Sequence, residues 1–168
     1  MVANTQTVAG ERARFEAATS ASLGAVLRLL SDSGLPVADV ETHIDAYTLA
    51  TSEGNLVGTA GLEIHGTLAL LRSLCVAPSH RSRGIAAALV ASVESRAALE
   101  GVRELYLLTT EAMGYFANLG FVPVPREQVP PEIRRTAQFS SLCPSSAVCM
   151  RKPIVPSLEL GEPDRRGQ

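Results

Sequence analysis

Apolar residues at Leu23, Val26, Leu27 and Leu30 recur at steps of three and four, which places them on one face of a helix from about Ser20 to Leu30. Gly34 stops that helix, and Pro36 opens a second short one in LPVADVETHI. Before them, RARFEA (12–17) reads as a first strand. AYTLAT (46–51) and NLVGTAGLEI (55–64) read as two more strands, joined through Ser52-Glu53-Gly54 in a hairpin-type turn. Past His65-Gly66, TLALLRSLCVA (67–77) is the next strand, closed by Pro78. A helix follows from about Gly84 to Glu100, with Ile85, Leu89, Val93 and Ala97 on one face and Gly101 at its end. ELYLLTT (104–110) is almost continuously apolar, as in a strand buried on both faces. EAMGYFANLG gives a short helix closed by Gly120. Beyond Phe121 the pattern weakens into proline-rich turns, with a short helix at Pro131–Arg135 and a final strand in AVCMRK (147–152).

These elements predict an α/β fold in a single domain, a twisted mixed sheet flanked by helices, over residues 11–152. Residues 1–10 read as a flexible end, and 153–168, a mixture of Pro, Gly and charge, as a disordered tail. The bulk numbers agree. A chain of 168 residues, 46% hydrophobic and 19% charged, can bury one proper core. The net charge of −2 exerts no general attraction for nucleic acid or anionic membranes, so neither is expected as a partner. No apolar run approaches the roughly 20 residues that span a bilayer, and the first residues lack the pattern of a secretory signal. Three cysteines without a CxxC pair argue against a disulfide framework. The expectation is a soluble, reduced, cytoplasmic protein.

The most informative stretch is LCVAPSHRSRGIAAALV (74–90). A strand runs into a basic loop, and a helix opens at a glycine. The first N–H groups of a helix lack internal partners and lie at the positive end of its dipole, so they hold an anion well. Gly84, Ala86 and Ala87 would let a bulky phosphate approach the backbone, and Arg81 and Arg83 add charge suited to a pyrophosphate. The turn lacks the G-K-[ST] of a P-loop and the G-x-G-x-x-G of a dinucleotide site. A basic helix start on a solvated surface is the competing explanation.

Context favours the phosphate site. Val76-Ala77-Pro78 followed by Arg81-Ser82-Arg83-Gly84-Ile85-Ala86 resembles the GNAT acetyltransferase signature, R/Q-x-x-G-x-G/A after a V-x-P strand end. The resemblance continues through LYLLTT and AMGYFANLGF, with Phe116, Gly120 and Phe121 at the family's aromatic and G-F positions. It implies acetyl-CoA as co-substrate, with no metal. Arg81, Ser82, Arg83, Gly84, Ile85, Ala86 and Ala87 would hold the pyrophosphate. Backbone groups of Leu74, Cys75 and Val76 would pair with the pantetheine arm, and Thr109 and Phe116 also belong to the cofactor side. The partner implied is a small-molecule amine, and a homodimer is a further expectation, since related enzymes are often dimers. LLRSLCVAP, GVRELYLLTT, FANLGF and FSSLCPSSAVCMRKP also look like the small arsenic-resistance N-acetyltransferases of ars operons, which are similar to the acetylating domain of N-acetylglutamate synthases. That narrower likeness suggests an amino-acid-like acceptor, including an arsenical amino acid.

Acetyl transfer from a thioester to an amine needs positioning first, then proton transfers that contribute ~10²–10⁴-fold. Where the family often carries a tyrosine acid, this chain has Phe116, and Tyr115 lies one residue, ~100° of helix, away. Ser140 and Ser141 are alternative donors to the thiolate, or simply turn residues before Pro144. The family's glutamate base position falls near Leu70, so Glu63 in the apolar strand GLEI is the substitute, unless it is an ordinary outward-facing carboxylate; His65 is another option. Arg72 interrupts an apolar strand, and simple alternation puts it on the face of Leu74 and Val76. It reads as a hook for a substrate carboxylate, or as one half of an ion pair with Glu63 or Glu104. Cys75, Cys143 and Cys149 are small buried hydrophobes or, given the arsenic likeness, soft ligands for a trivalent arsenical. The rivals to an acetyltransferase of small amines are an N-acetylglutamate synthase-like enzyme and a non-catalytic sensor that binds CoA or a metalloid.

Overall fold

The computed structural model describes residues 4–8 and 11–155. Among them, eight strands form one sheet in the order β1-β2-β3-β4-β5-β6-β8-β7. The strands are β1 Asn4–Val8, β2 Glu11–Ala17, β3 Tyr47–Ser52, β4 Asn55–His65, β5 Leu68–Val76, β6 Glu104–Thr109, β7 Val122–Val124 and β8 Val148–Pro153. Neighbours run antiparallel except β5 and β6, which are parallel. A parallel pair needs a long crossover, and α2, Ile85–Leu99, supplies it.

The helices cover the two faces because their apolar stripes require it. The α2 stripe expected at every fourth residue is buried as Ile85, Leu89, Val93 and Ala97, against Leu62, Ala69, Leu71, Leu105 and Leu107 of the central strands. On the opposite face, α1 (Leu23–Asp32) buries Val26 and Leu30 with Val40, Ile44, Tyr47, Leu49 and Cys75. Farther along that face, α4 (Pro131–Arg134) places Ile133 with Leu70, Tyr106, Val124, Val129 and Cys149. The strand 104–110 is buried on both faces as expected: Leu105 and Leu107 face α2, while Tyr106 faces α4. α3, Met113–Asn118, completes the set. No helix among the described residues is long and apolar enough to cross a membrane.

Three local expectations change. Residues 4–8, read as a loose end, pair antiparallel with β2 from Asn4↔Phe15 to Val8↔Glu11; too few apolar positions mark them as a strand. LPVADVETHI is not a helix but an irregular stretch running into the 3-10 turn Glu41–Ala46, and it brings Asp39 to an arginine of β5. The final strand runs to Pro153, and the Ile154 N–H reaches the Arg103 carbonyl at 2.8 Å, so the tail expected from 153 onward begins with ordered residues. Its remainder, 156–168, lies outside the described residues.

Gly58 lets α2 lie close on β4. A Cβ there would sit 3.0 Å from Leu89 Cδ1 and 3.2 Å from the Cys75 carbonyl oxygen. Gly58→Ala is expected to cost about 1–3 kcal/mol, the usual penalty for overpacking a tight core. Urea unfolding checks this: the midpoint should fall with the slope unchanged.

Candidate active site

The site grows out of one irregularity. Thr59 pairs with Cys75 and Gly61 with Arg72, so Ala60 on β4 faces two residues, Ser73 and Leu74, on β5. This is a β-bulge, and Ser73 holds the positive φ of 56° that it needs. The extra residue reverses the expected alternation. Leu74 and Val76 join Leu71 on the α2 side, whereas Arg72 and Cys75 face the other way. The predicted common face for Arg72, Leu74 and Val76 is therefore corrected. β5 pairs with β6 only from Leu68↔Glu104 to Leu70↔Tyr106, and past the bulge the two strands part. Between them opens a cavity of about 580 Å³, walled by residues 70–76, 107–112 and 34–36, together with Arg81, Ala86, Tyr115 and Phe116.

The basic turn stands at its mouth. Ser82 (φ 62°) and Gly84 (φ 78°) both take the left-handed region, and the first helical bond of α2 runs from Ala88 N–H to the Gly84 carbonyl at 3.1 Å. The N–H groups of Ile85, Ala86 and Ala87 are left at the open end of the helix, as an anion site requires. Arg81 folds back to donate from Nε to the Val76 carbonyl at 3.1 Å, while Arg83 and Ser82 sit exposed beside it. Leu74, Cys75, Val76, Thr109 and Phe116 line the cavity; Thr109 Oγ1 also accepts from the Ala112 N–H at 3.0 Å, just before α3. Phe116 is buried between Tyr115 and Phe121, edge to face with each.

Arg72 is 4% exposed, and its fork is occupied by protein. Nη1 donates to Asp39 Oδ2 at 2.6 Å and to Glu63 Oε2 at 3.3 Å, and Nη2 donates to Asp39 Oδ1. The hook expected for a substrate carboxylate is thus already clasped by Asp39, a partner that strand spacing did not suggest. Burial works against this charge, and the Asp39 carboxylate outweighs it, holding the guanidinium pKa above its ordinary value. In return the Arg72 hydrogen bonds hold Asp39 below the usual carboxylate range, against the opposing effect of burial. Tyr47, fully buried, lies beside Arg72 and bonds its hydroxyl to Ser73 Oγ at 2.8 Å, which pins the bulge.

The proton-transfer candidates fare differently. Glu63 is committed to Arg72 and to His65 Nε2 at 3.1 Å, and it is not among the residues lining the cavity. Ser140 and Ser141 are exposed in a π-helical turn, Gln138–Leu142, outside that lining, and Ser141 Oγ donates to the Ala137 carbonyl at 3.2 Å. Tyr115, passed over in the sequence, does line the cavity, and burial raises its phenol pKa. Gln138 and Cys143 also line it; Gln138 carried no sequence signal beyond polarity in a turn, and Cys143 was singled out only as a thiol. The three thiols do not gather: among the described residues the one close group of possible metal ligands is Asp39, His43 and Glu63, and Arg72 bridges two of these. Burial raises the pKa of all three cysteines, that of Cys149 to about 11.

Comparison with known proteins agrees with this geometry. Residues 43–123 match the family model of the acetyltransferase (GNAT) domain. An amino-acid acetyltransferase of Aeromonas salmonicida is 33% identical over 140 residues, which are 78% of this chain but 32% of that protein. An uncharacterized N-acetyltransferase of Chlorobaculum tepidum is 29% identical over 123 residues, 73% of this chain and 77% of its own. N-acetylglutamate synthase of Neisseria gonorrhoeae, solved with coenzyme A and L-arginine, superposes with a TM-score of 0.73 at 20% identity, over 84% of this chain and 33% of that one. The chain therefore spans about a third of the length of the amino-acid acetyltransferase it matches. Its fold is that of the GNAT acetyltransferases, and residues 43–123 carry the likeness in sequence.

Asp39→Ala would leave Arg72 buried with only Glu63 in partial compensation, and a loss of about 3 kcal/mol is expected. Because the folded Asp39 pKa lies below its ordinary 3.8, its contribution is full at neutral pH and lost as pH falls through the folded value. Denaturation from pH 7 to pH 2 checks the sign. Asp39→Asn should show a shallower acid loss than the wild type.

Proposed function

We propose that this protein transfers the acetyl group of acetyl-CoA to the amine of a small, amino-acid-like molecule. One observation carries the reading: the parted edge of β5 and the open N-terminus of α2 meet at a single cavity, about 580 Å³, with room for the thioester end of acetyl-CoA beside a small amine. The N–H groups of Ile85, Ala86 and Ala87, with Arg81 and Arg83, suit a pyrophosphate. The β5 edge beyond Leu70 suits an amide-bearing arm, and its N–H groups can polarise the thioester carbonyl as charge develops. Acetyl-CoA supplies an activated acyl carbon. The amine nitrogen forms the new C–N bond, the C–S bond breaks, and the departing sulfur takes a proton.

Tyr115 is the donor we assign to that sulfur. It stands at the cavity, 40% exposed, with a phenol that keeps its proton at neutral pH, whereas the serines proposed from the sequence lie outside. Substrate preparation needs little more than positioning, and an amine can lose its proton to water in an open site. The similarity to an amino-acid acetyltransferase supports an amino-acid acceptor, and an N-acetylglutamate synthase-like reaction is the second reading on that account. The narrower arsenical acceptor rests on the strings LLRSLCVAP and FSSLCPSSAVCMRKP alone.

Thiol release from acetyl-CoA across glutamate, phosphinothricin and arsinothricin tests the reading. One amine should be acetylated, and Gly84→Glu, which puts a carboxylate in the anion turn, should abolish acetyl-CoA binding. Binding of acetyl-CoA without turnover of any amine would favour a sensor instead. Tyr115→Phe should lower kcat about 100-fold while leaving the KM for acetyl-CoA near that of the wild type. An unchanged kcat would remove Tyr115 from the mechanism.

A further inference from the structure

The cavity holds one group that neither the fold nor the transfer chemistry uses. Gln138 is 6% exposed and lines the cavity, yet its amide nitrogen Nε2 has no hydrogen-bond partner. A buried donor left unmade is costly, and natural proteins rarely keep one without a reason. The side chain has little freedom to relieve it. Cys143 Sγ donates to Gln138 Oε1 at 3.2 Å, and the Cys143 N–H bonds the Gln138 carbonyl at 2.9 Å. The thiol donates to Oε1, which leaves Nε2 on the other side of the amide plane without a partner.

The turn that carries Gln138 is itself clamped. Thr136 Oγ1 donates to the Ile133 carbonyl at 2.7 Å and accepts from the Phe139 N–H at 3.3 Å. The Arg126 guanidinium lies 4.9 Å from the Phe139 ring centroid and donates to the Ala147 carbonyl at 2.7 Å. Arg72 and Arg126 both act on the Cys143 thiol in the sense of positive charge, with Asp39 opposing them. Arg72 is itself matched by Asp39 and Glu63, so the selectivity here comes from the fixed N–H, which suits an oxygen acceptor.

We propose that Gln138 Nε2 is the specificity contact for an oxyacid group of the acceptor, a carboxylate or a chemically similar oxyanion, and that Cys143 is a positioning residue that holds the amide in register. The proposal rests on the acetyltransferase reading above and assigns the substrate's acid group to a neutral amide rather than to Arg72, whose fork Asp39 already fills.

The test compares L-leucine, isopentylamine (the same molecule without its carboxylate) and L-glutamate, by turnover and by calorimetric titration of the CoA-loaded protein. Gln138→Leu and Gln138→Glu should raise the KM for leucine and glutamate about tenfold or more, with the KM for acetyl-CoA and the rate with isopentylamine within about twofold of wild type. Cys143→Ser keeps a donor to Oε1 and should behave as wild type, whereas Cys143→Ala should share part of the defect. Gln138→Leu removes an unsatisfied amide, so its melting temperature should be unchanged or higher, which separates the effect from misfolding. Equal losses for leucine and isopentylamine, or no loss at all, would overturn the assignment while leaving the acetyltransferase reading intact. If the wild type acetylates none of these amines, glutamate binding that disappears in Gln138→Leu keeps the subsite and sinks the enzyme reading. Absence of amino-acid binding to the wild type sinks the subsite.

Discussion

A guanidinium taken out of water is expensive unless its hydrogen bonds and its charge are both met. Arg72 sits in the middle of the sheet under that constraint, and much of the site follows from how it is satisfied. Its fork closes on Asp39 in the irregular segment after α1, with Glu63 on the neighbouring strand as a second carboxylate. The 34–36 wall of the cavity is therefore anchored, three residues on, to β5. Gly61 is required by the same arrangement. A Cβ there would sit 3.1 Å from Arg72 Cγ and 3.1 Å from Tyr47 Cζ, so the arginine and tyrosine lie side by side only because position 61 has no side chain.

The same cluster determines where the sheet opens. Tyr47 binds the Ser73 hydroxyl, and Arg72 Nε reaches that hydroxyl at 3.4 Å, so the bulged residue is held from two directions. A bulge re-aims one strand relative to its neighbours. Here it lies just past the last β5–β6 pair, Leu70↔Tyr106, and the backbone edge released there becomes the cavity wall. The α2 side is a closely packed apolar layer, with Leu89 and Ala97 fully buried, and it fixes the anion turn relative to this edge. Packing on one face and ion pairing on the other thus hold the two halves of the proposed cofactor site in one frame.

How much of this can be read from the chain depends on the range of the interaction. The α2 stripe, the doubly buried β6 and the V-x-P to R-x-x-G turn are local patterns, and they appear where periodicity and turn chemistry put them. The bulge at Ser73 is not legible, because LALLRSLCV scans as an unbroken alternating strand and only the tertiary contacts of Tyr47 and Arg72 explain the extra residue. Asp39 is hidden for the same reason. It is 33 residues from Arg72 in sequence and sits in a stretch that reads equally well as a short helix. Gln138 is hidden differently: polarity in a proline-rich turn is ordinary, and only burial makes the unpaired amide informative. Ser140 and Ser141, two and three residues on, attracted attention by chemistry alone and are exposed outside the cavity lining.

Backbone strain in the central segment points to the same frame. Ser73 and Ser82 are non-glycine residues at positive φ, a conformation that costs roughly 1–2 kcal/mol for an L side chain. One lies at the bulge that parts the strands, the other in the turn that opens α2, so they bracket the backbone that would follow acetyl-CoA from thioester to pyrophosphate. Such strain persists only where the surroundings over-determine it. At Ser73 the constraint is visible, in the Tyr47 hydroxyl and the buried ion pair. At Ser82 the fixed ends do the same work: Arg81 is tied back to Val76 by its Nε, and Ile85, 4% exposed, is locked into the α2 core. A chain free to relax would place Ser82 elsewhere. That it does not implies that the N–H groups at the head of α2 are set in place by folding and not by the anion they would bind, which is the condition for a site that binds without reorganisation.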